Sequence, residues 1–169
     1  MNGQQDDSHE GEGIRGARSR PPLARLLARY PERPVRAALV LVNSFVAIAL
    51  LAGLAMVTAT PFVFPSLGPT AFLFFFTPTA PSASPRSTIL GHAIGLLCGY
   101  GALLLVGLEH APAAIVTGVD GARILAASLS LACTGGFMIL LGVAHPPAGA
   151  TTLIISLGIV TRPSHLLIL

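Results

Sequence analysis

One histidine, His145, lies in a long uncharged part of the C-terminal half of the chain. The 38 residues between Arg123 and Arg162 carry no formal charge, and His145 is the only imidazole among them. It opens the run HPPAGATT, which ends at Thr152 and combines helix-breaking residues with a titratable group. Inside a bilayer such a group is costly, and it usually faces the protein interior or a wet cavity. The run therefore marks a candidate functional site.

A second run in the N-terminal half matches the first at a constant offset of 81 residues. Three residues of each run coincide, namely Pro65, Gly68 and Thr70 in the first and Pro146, Gly149 and Thr151 in the second. Each run follows a long apolar span and continues into a short apolar segment. We interpret this as an internal repeat, as in many transporter folds. Phe64 lies where His145 would align, so the two copies have diverged.

Broken helices supply the chemistry that we expect at the two runs. The first N–H groups of a helix have no intrahelical partner, and in lipid they need protein, water or a substrate. If short helices begin at Thr70 and Thr151, two sets of N–H groups converge on one anion. The positive end of the second helix disfavours an imidazolium, so we expect a neutral His145 that donates a hydrogen bond. In the alternative, His145 only caps a re-entrant helix or binds a freed carbonyl.

The predicted substrate-binding residues combine this histidine with hydroxyl groups and with the glycines of the two breaks. They are His145, Thr151, Thr152, Thr70, Gly68 and Gly149. Arg86 closes the turn after the first run, and we expect it to attract anions electrostatically at an entrance. One histidine is too few for a metal site, and no Ser or Cys nucleophile with a paired base is evident. We therefore expect no metal, no cofactor and no enzymatic activity.

The composition is that of an integral membrane protein. Hydrophobic residues make up 53% of the 169 residues and charged residues only 10%, whereas soluble domains carry roughly 25% charged residues. All ten basic residues are arginines, and seven of them lie between Arg15 and Arg36. This bias favours a cytoplasmic N-terminus over a nucleic-acid-binding face. We expect an all-α, polytopic helical membrane protein with two Pro/Gly-broken, re-entrant or half helices.

Three full spans must position the two runs, at about residues 37–60, 87–108 and 122–144. The short helices are expected at about 70–76 and 148–160. The second span carries Gly91, Gly95 and Gly99 at a spacing of four, which lets another helix approach closely. His92, near the start of this span, is predicted to snorkel towards the interface. Re-entrant breaks would give parallel halves and crossing breaks inverted ones, and both topologies stay open.

The chain divides into two parts. Residues 1–33 are expected to be a disordered, basic cytoplasmic arm with a short interfacial helix from Pro21 to Arg33. Residues 34–169 form the transmembrane domain, which we interpret as cut short because only six residues follow Pro163. Cys98 and Cys133 fall inside spans and fit neither a disulfide framework nor a zinc pattern, so we expect them to be small buried apolar residues.

Several motifs together resemble the HPP family of integral membrane proteins, which is named for its His-Pro-Pro motif. They are SLGPTA at 66–71, the turn from Pro78 to Arg86, Gly91-His92 and the run that begins at His145. The likeness covers about residues 36–160. It implies a small domain with four transmembrane helices and, for members in photosynthetic organisms, nitrite transport. Family members normally continue into a further helix after the His-Pro-Pro segment, and this chain departs from that pattern at Leu169.

The leading hypothesis is a transporter or channel for a small monovalent anion such as nitrite, acting where the two broken segments converge. It would lie in a lipid bilayer, in the inner membrane of a bacterium, and a homo-oligomer is compatible with it. The alternative is a non-transporting scaffold or regulatory subunit, which the glycine face of the second span would also suit.

Overall fold

A computed structural model describes residues 30–58, 63–161 and Leu166. The helices in these ranges are α1 (Glu32–Thr58), α2 (Val63–Phe76), α3 (Pro85–Val106), α4 (Ala114–Thr117), α5 (Gly121–Leu140) and α6 (Ala148–Ser156), with a 3-10 helix at Pro81–Ala83. No strand occurs among the described residues. The expected disordered arm, most of the interfacial helix from Pro21 and nearly all of the segment after Pro163 lie outside them.

The chain divides into two compact units, residues 1–42 and residues 43–169. The first is described only as the opening of α1, where Arg36 forms an exposed ion pair with Glu32 at 3.3 Å. The second contains the rest of α1 and the remaining helices, and all further description concerns this unit.

Three of the described helices, α1, α3 and α5, are long and apolar enough to cross a membrane. The other two apolar helices are shorter, since α2 has 14 residues and α6 has nine. At about 1.5 Å per residue they measure roughly 21 and 14 Å, less than the roughly 30 Å of a hydrocarbon core. The protein is thus a multi-pass helical membrane protein that combines full spans with short helices.

The ends of the long helices follow from local capping. The Ser84 side chain accepts a hydrogen bond from the backbone N–H of Ser87 at 3.2 Å, and Pro85 occupies the first helical position, so α3 begins there. It ends at Gly107, whose φ of 72° is in the left-handed region. Asp120 caps α5 by accepting from the backbone N–H of Arg123 at 2.8 Å. These caps place the helices within a few residues of the predicted spans.

The first short helix differs from the prediction. We expected it to begin at Thr70, after the break at Gly68 and Pro69, but α2 begins at Val63 and continues through Pro69. A proline inside a helix removes one backbone hydrogen bond, but the helix can continue past it. Thr70 therefore lies in the interior of α2, and its backbone N–H is not at a helix start.

The short helix α6 is the most enclosed element of the described structure. It packs against α2, α3 and α5, and α3 also packs against α5. Buried apolar residues surround it in two clusters, one of Ile94, Met138, Val143 and Ala148 and one of Leu103, Ile155, Val160 and Leu166. Large apolar side chains such as Leu105 and Ile139 are exposed, as expected for surfaces that contact lipid tails. This packing presents α6 and the segment before it to three other helices.

Candidate functional site

His145 lies in the segment between α5 and α6 and is fully buried, with 0% of its surface exposed. Its ring Nδ1 is 2.8 Å from the backbone carbonyl oxygen of Ser82, in the 3-10 helix. Because a carbonyl oxygen can only accept a hydrogen bond, the Nδ1–H of His145 is the donor. In a neutral ring the Nε2 of His145 is therefore an acceptor.

His92, on α3, lies directly beside His145. The two ring centroids are 4.9 Å apart with the ring planes at 62°, and the two Nε2 atoms are 3.3 Å apart. The prediction that His92 snorkels towards the interface is wrong, because only 8% of it is exposed and its ring is hydrogen-bonded inside the protein. Like His145, His92 is an isolated titratable residue in an apolar stretch, since it is the only Asp, Glu, Lys, Arg or His between Arg86 and Glu109.

Two threonine hydroxyls flank the two nitrogens of the His92 ring. Thr70 Oγ1 lies 2.9 Å from Nε2, and Thr151 Oγ1 lies 2.7 Å from Nδ1. Thr70 Oγ1 is also 3.1 Å from the Nε2 of His145. These two threonines align at the offset of 81 residues, so matching positions of the two runs meet at one imidazole. We refer to Thr70, His92, His145 and Thr151 as the His–Thr cluster.

One arrangement of protons gives every ring nitrogen of the His–Thr cluster a suitable partner. The Nδ1–H of His145 donates to Ser82, so its Nε2 accepts from the hydroxyl of Thr70. Because this hydroxyl has a single proton, its oxygen accepts from the Nε2–H of His92. The Nδ1 of His92 then accepts from the hydroxyl of Thr151. A continuous chain of hydrogen bonds results, in which both imidazoles are neutral.

The glycine row of α3 lies against the segment that carries His145 and Thr151. A Cβ built on Gly91 would be 2.6 Å from the Cβ of His145, one on Gly95 would be 2.7 Å from the carbonyl oxygen of Ala148, and one on Gly99 would be 2.8 Å from that of Thr152. Real Cβ contacts are essentially never shorter than 3.0 Å. The absence of side chains in this row therefore sets the distance between the two histidines.

Backbone N–H groups do not form the anion site that we expected. The first three N–H groups of α6 donate to carbonyls three residues earlier, those of Ala148 at 3.1 Å, Gly149 at 2.9 Å and Ala150 at 3.0 Å. Thr70 lies inside α2, where it supplies its hydroxyl rather than a free N–H group. The expectation that two helix starts at Thr70 and Thr151 converge on one anion is therefore wrong. The polar groups of the His–Thr cluster are therefore side-chain groups.

The remaining predicted residues have other surroundings. The hydroxyl oxygen of Thr152 is buried and has no hydrogen-bond partner in the part of the chain that the structure describes. Gly68 faces the side chain of Ile48 on α1, and Gly149 faces α5. Arg86 is exposed in the first turn of α3. The structure thus brings His145, Thr70 and Thr151 together with His92 and places the other four elsewhere.

Arg123 is a buried charged residue whose structural role the sequence did not indicate. It is 2% exposed, and its guanidinium donates to the carbonyl oxygens of Ser156 at 3.1 Å, Ala111 at 3.2 Å and Pro112 at 2.7 Å. Ser156 ends α6, where helix carbonyls lack intrahelical partners. The approach of Arg123 also requires Gly158, since a Cβ there would be 2.7 Å from the guanidinium. Arg123 therefore fixes the C-terminal end of α6.

The surroundings of the His–Thr cluster carry no negative side chain among the described residues. The Asp and Glu residues in the described ranges are Glu32, Glu109 and Asp120, and none lies on α2, the 3-10 helix, α3, α5 or α6. No group of three or more His, Cys, Asp or Glu residues that could hold a metal ion occurs in these ranges either. A positive charge in the cluster would therefore have no carboxylate among the described residues to compensate it.

The family model described as the HPP transmembrane region matches residues 30–168. No curated protein matches the chain, and no solved structure matches it either.

Proposed function

The chain belongs to the HPP transmembrane family, and we propose that it carries a small monovalent anion such as nitrite across the membrane through the His–Thr cluster. The observation that carries this proposal is the burial of two imidazoles and two hydroxyls, each at most 8% exposed, inside a helical membrane protein. Polar groups at such positions are costly and commonly mark substrate or ion pathways.

The chemistry of the cluster favours an anion over a cation. Hard cations such as Ca²⁺ and Mg²⁺ bind oxygen ligands, mainly carboxylates and carbonyls, and the described elements around the cluster carry no carboxylate. Hydroxyl and imidazole groups can instead donate hydrogen bonds to the oxygens of a small oxyanion. Nitrite is small enough to accept the hydrogen bonds that these side chains otherwise donate to one another. In the neutral pair the imidazole donor is the Nε2–H of His92, because the single N–H of His145 is already donated to Ser82.

The roles follow from position. Thr70 is hydrogen-bonded to both histidines. When its bond to His145 opens, its hydroxyl can donate to the anion instead. Thr151 holds His92 in place from the other side. Arg86 is exposed at the start of α3, where it would raise the local anion concentration. The arginine-rich flank favours a cytoplasmic N-terminus in a bacterial inner membrane. Transport of the anion involves no covalent step.

The test is nitrite uptake into vesicles that contain the purified full chain. Uptake should exceed that of protein-free vesicles, and Thr70→Val should remove most of it, because valine keeps the shape of threonine but not the hydroxyl. Thr77→Val is the matched control, since Thr77 follows the same helix and its hydroxyl donates only to the carbonyl of Leu73 at 3.3 Å. His145→Gln should lose uptake as well.

Two results would contradict the proposal. The first is uptake by Thr70→Val or His145→Gln at the rate of the unmodified protein. The second is the absence of protein-dependent uptake of nitrite, nitrate and formate, together with copurification of a partner. That second result would favour the scaffold or regulatory role instead.

A further inference from the structure

We infer that the His–Thr cluster takes up one proton with each anion, so that transport is an electroneutral cotransport of a proton and a monovalent anion. This inference rests on the proposed function. It concerns the proton that moves with the anion. The experiment below distinguishes a failure of this cotransport from a failure of the proposed anion transport.

The first step is where a proton can be added. The Nδ1 of His145 already carries a proton, which it donates to Ser82. The Nε2 of His145 is therefore the only nitrogen of this ring that carries no proton, and it is hydrogen-bonded to Thr70 Oγ1 at 3.1 Å. The hydroxyl of Thr70 is in turn 2.9 Å from the Nε2 of His92. The two imidazoles are thus joined through one hydroxyl.

A proton can be transferred along the hydrogen bonds that join the two imidazoles. A hydronium ion from the aqueous side gives a proton to the Nδ1 of His92, beside Thr151, so that one of its O–H bonds breaks, a new N–H bond forms and water is left. The Nε2–H of His92 breaks as its proton moves to Thr70 Oγ1, and the original hydroxyl proton of Thr70 moves to the Nε2 of His145. Each bond that breaks is matched by one that forms. The positive charge therefore passes from His92 to His145 while no side chain travels.

A proton added to the His–Thr cluster brings a positive charge that the surrounding side chains do not balance. Apart from the two histidines, the titratable residues on the described elements packed around the cluster are Arg86, Cys98 and Tyr100 on α3 and Arg123 and Cys133 on α5. None of them is bonded to either histidine in the described structure, and none is a carboxylate. An imidazolium among these groups would be a buried charge without a counter-ion, which is strongly unfavourable.

A monovalent anion is the counter-ion that the geometry admits. The Nε2 atoms of both rings and the hydroxyl oxygen of Thr70 lie within 3.3 Å of one another, so one anion that opens these bonds can contact all three groups. With His145 protonated, such an anion gains a charge-assisted hydrogen bond from His145 and a second bond from Thr70. The proton thus stabilises the bound anion and the anion stabilises the bound proton. Neither is expected to enter the buried site alone.

The experiment uses vesicles that contain the full chain, an internal pH indicator and a potassium gradient with valinomycin to set the membrane potential. Protein-dependent nitrite uptake should be accelerated by an alkaline interior and should acidify the interior by about one proton per nitrite. It should be unchanged when the potential is reversed. Protein-free vesicles measure the background from nitrous acid diffusion, which is subtracted. Thr70→Ser should retain coupled uptake and Thr70→Val should lose it.

The outcomes separate the two proposals. Protein-dependent uptake that follows the potential and leaves the internal pH unchanged would overturn the cotransport and keep the anion transporter. Absence of protein-dependent uptake under every gradient would overturn both. Coupled uptake by Thr70→Val, in protein that melts like Thr77→Val, would overturn the transfer through Thr70. Loss in Thr70→Val with retention in Thr70→Ser and in Thr77→Val would support it.

Discussion

Replacing Gly95 by alanine tests whether the close approach of α3 and α6 sets the site. The added Cβ would lie 2.7 Å from the backbone carbonyl oxygen of Ala148, and ordinary contact begins at 3.4 Å. The two helices must therefore separate by up to about 0.7 Å, because a backbone atom cannot rotate away as a side chain does. The hydrogen bond between His92 and Thr151, now 2.7 Å, would lengthen to as much as about 3.4 Å, beyond the usual range.

The expected magnitude follows from this shift. Overpacking of a close-packed interface costs about 1–3 kcal/mol, which corresponds to a melting temperature lower by about 2–12 °C at about 2–4 °C per kcal/mol. Nitrite uptake should fall as well, since the bond that holds His92 weakens. Far-UV circular dichroism of the detergent-solubilised protein follows unfolding, because the chain contains no tryptophan. Uptake into vesicles measures the effect on function.

Gly101→Ala is the matched control on the same helix. A Cβ built on Gly101 meets nothing within 4 Å, so alanine should be tolerated and should gain up to about 1 kcal/mol of helix propensity. The reasoning is refuted if Gly95→Ala melts and transports like the unmodified protein. It is equally refuted if Gly101→Ala proves as damaging as Gly95→Ala.

Two further substitutions separate structural from functional polar groups. Arg123→Met should lower the melting temperature strongly, because each of three carbonyls loses its hydrogen-bond donor, at about 1–3 kcal/mol per carbonyl. Arg123→Lys should restore the melting temperature only partly, since one ammonium cannot reproduce the planar fork of the guanidinium. Equal melting of Arg123→Met and the unmodified protein in circular dichroism would contradict this. Thr152→Val should keep both uptake and melting temperature, because the Thr152 hydroxyl has no partner among the described residues, and a marked loss of uptake would instead assign it to substrate binding.

The sequence predicted the membrane class and the long helices, because both depend on composition and local pattern. Uncharged stretches located the long helices α1, α3 and α5 to within a few residues. Spacing of four identified the glycine row, which the structure places against α6. Caps such as Ser84 and Asp120 set the ends. These features need no knowledge of how helices pack.

The candidate site was only partly predictable, because its key contacts join residues far apart in the chain. His145 is recognisable as a titratable group in an uncharged run, but the position of His92 near the start of its span predicts an interfacial residue. Its burial follows from α6 covering the glycine row. The proline at position 69 suggested a helix start, yet the helix continues through it. The bonds of Arg123 to three carbonyls depend on loop positions that no local pattern encodes.

The most direct test of the account is NMR of isotope-labelled histidine nitrogens in bilayers, with His92→Gln and His145→Gln proteins used for assignment. Without anion, His145 should carry its proton on Nδ1 and leave Nε2 bare, while His92 carries its proton on Nε2. Added nitrite should convert His145 to the doubly protonated form, and an equal concentration of a large impermeant anion should not. Histidine signals that stay unchanged at nitrite concentrations that support uptake would contradict binding of the anion, with its proton, at the histidine pair.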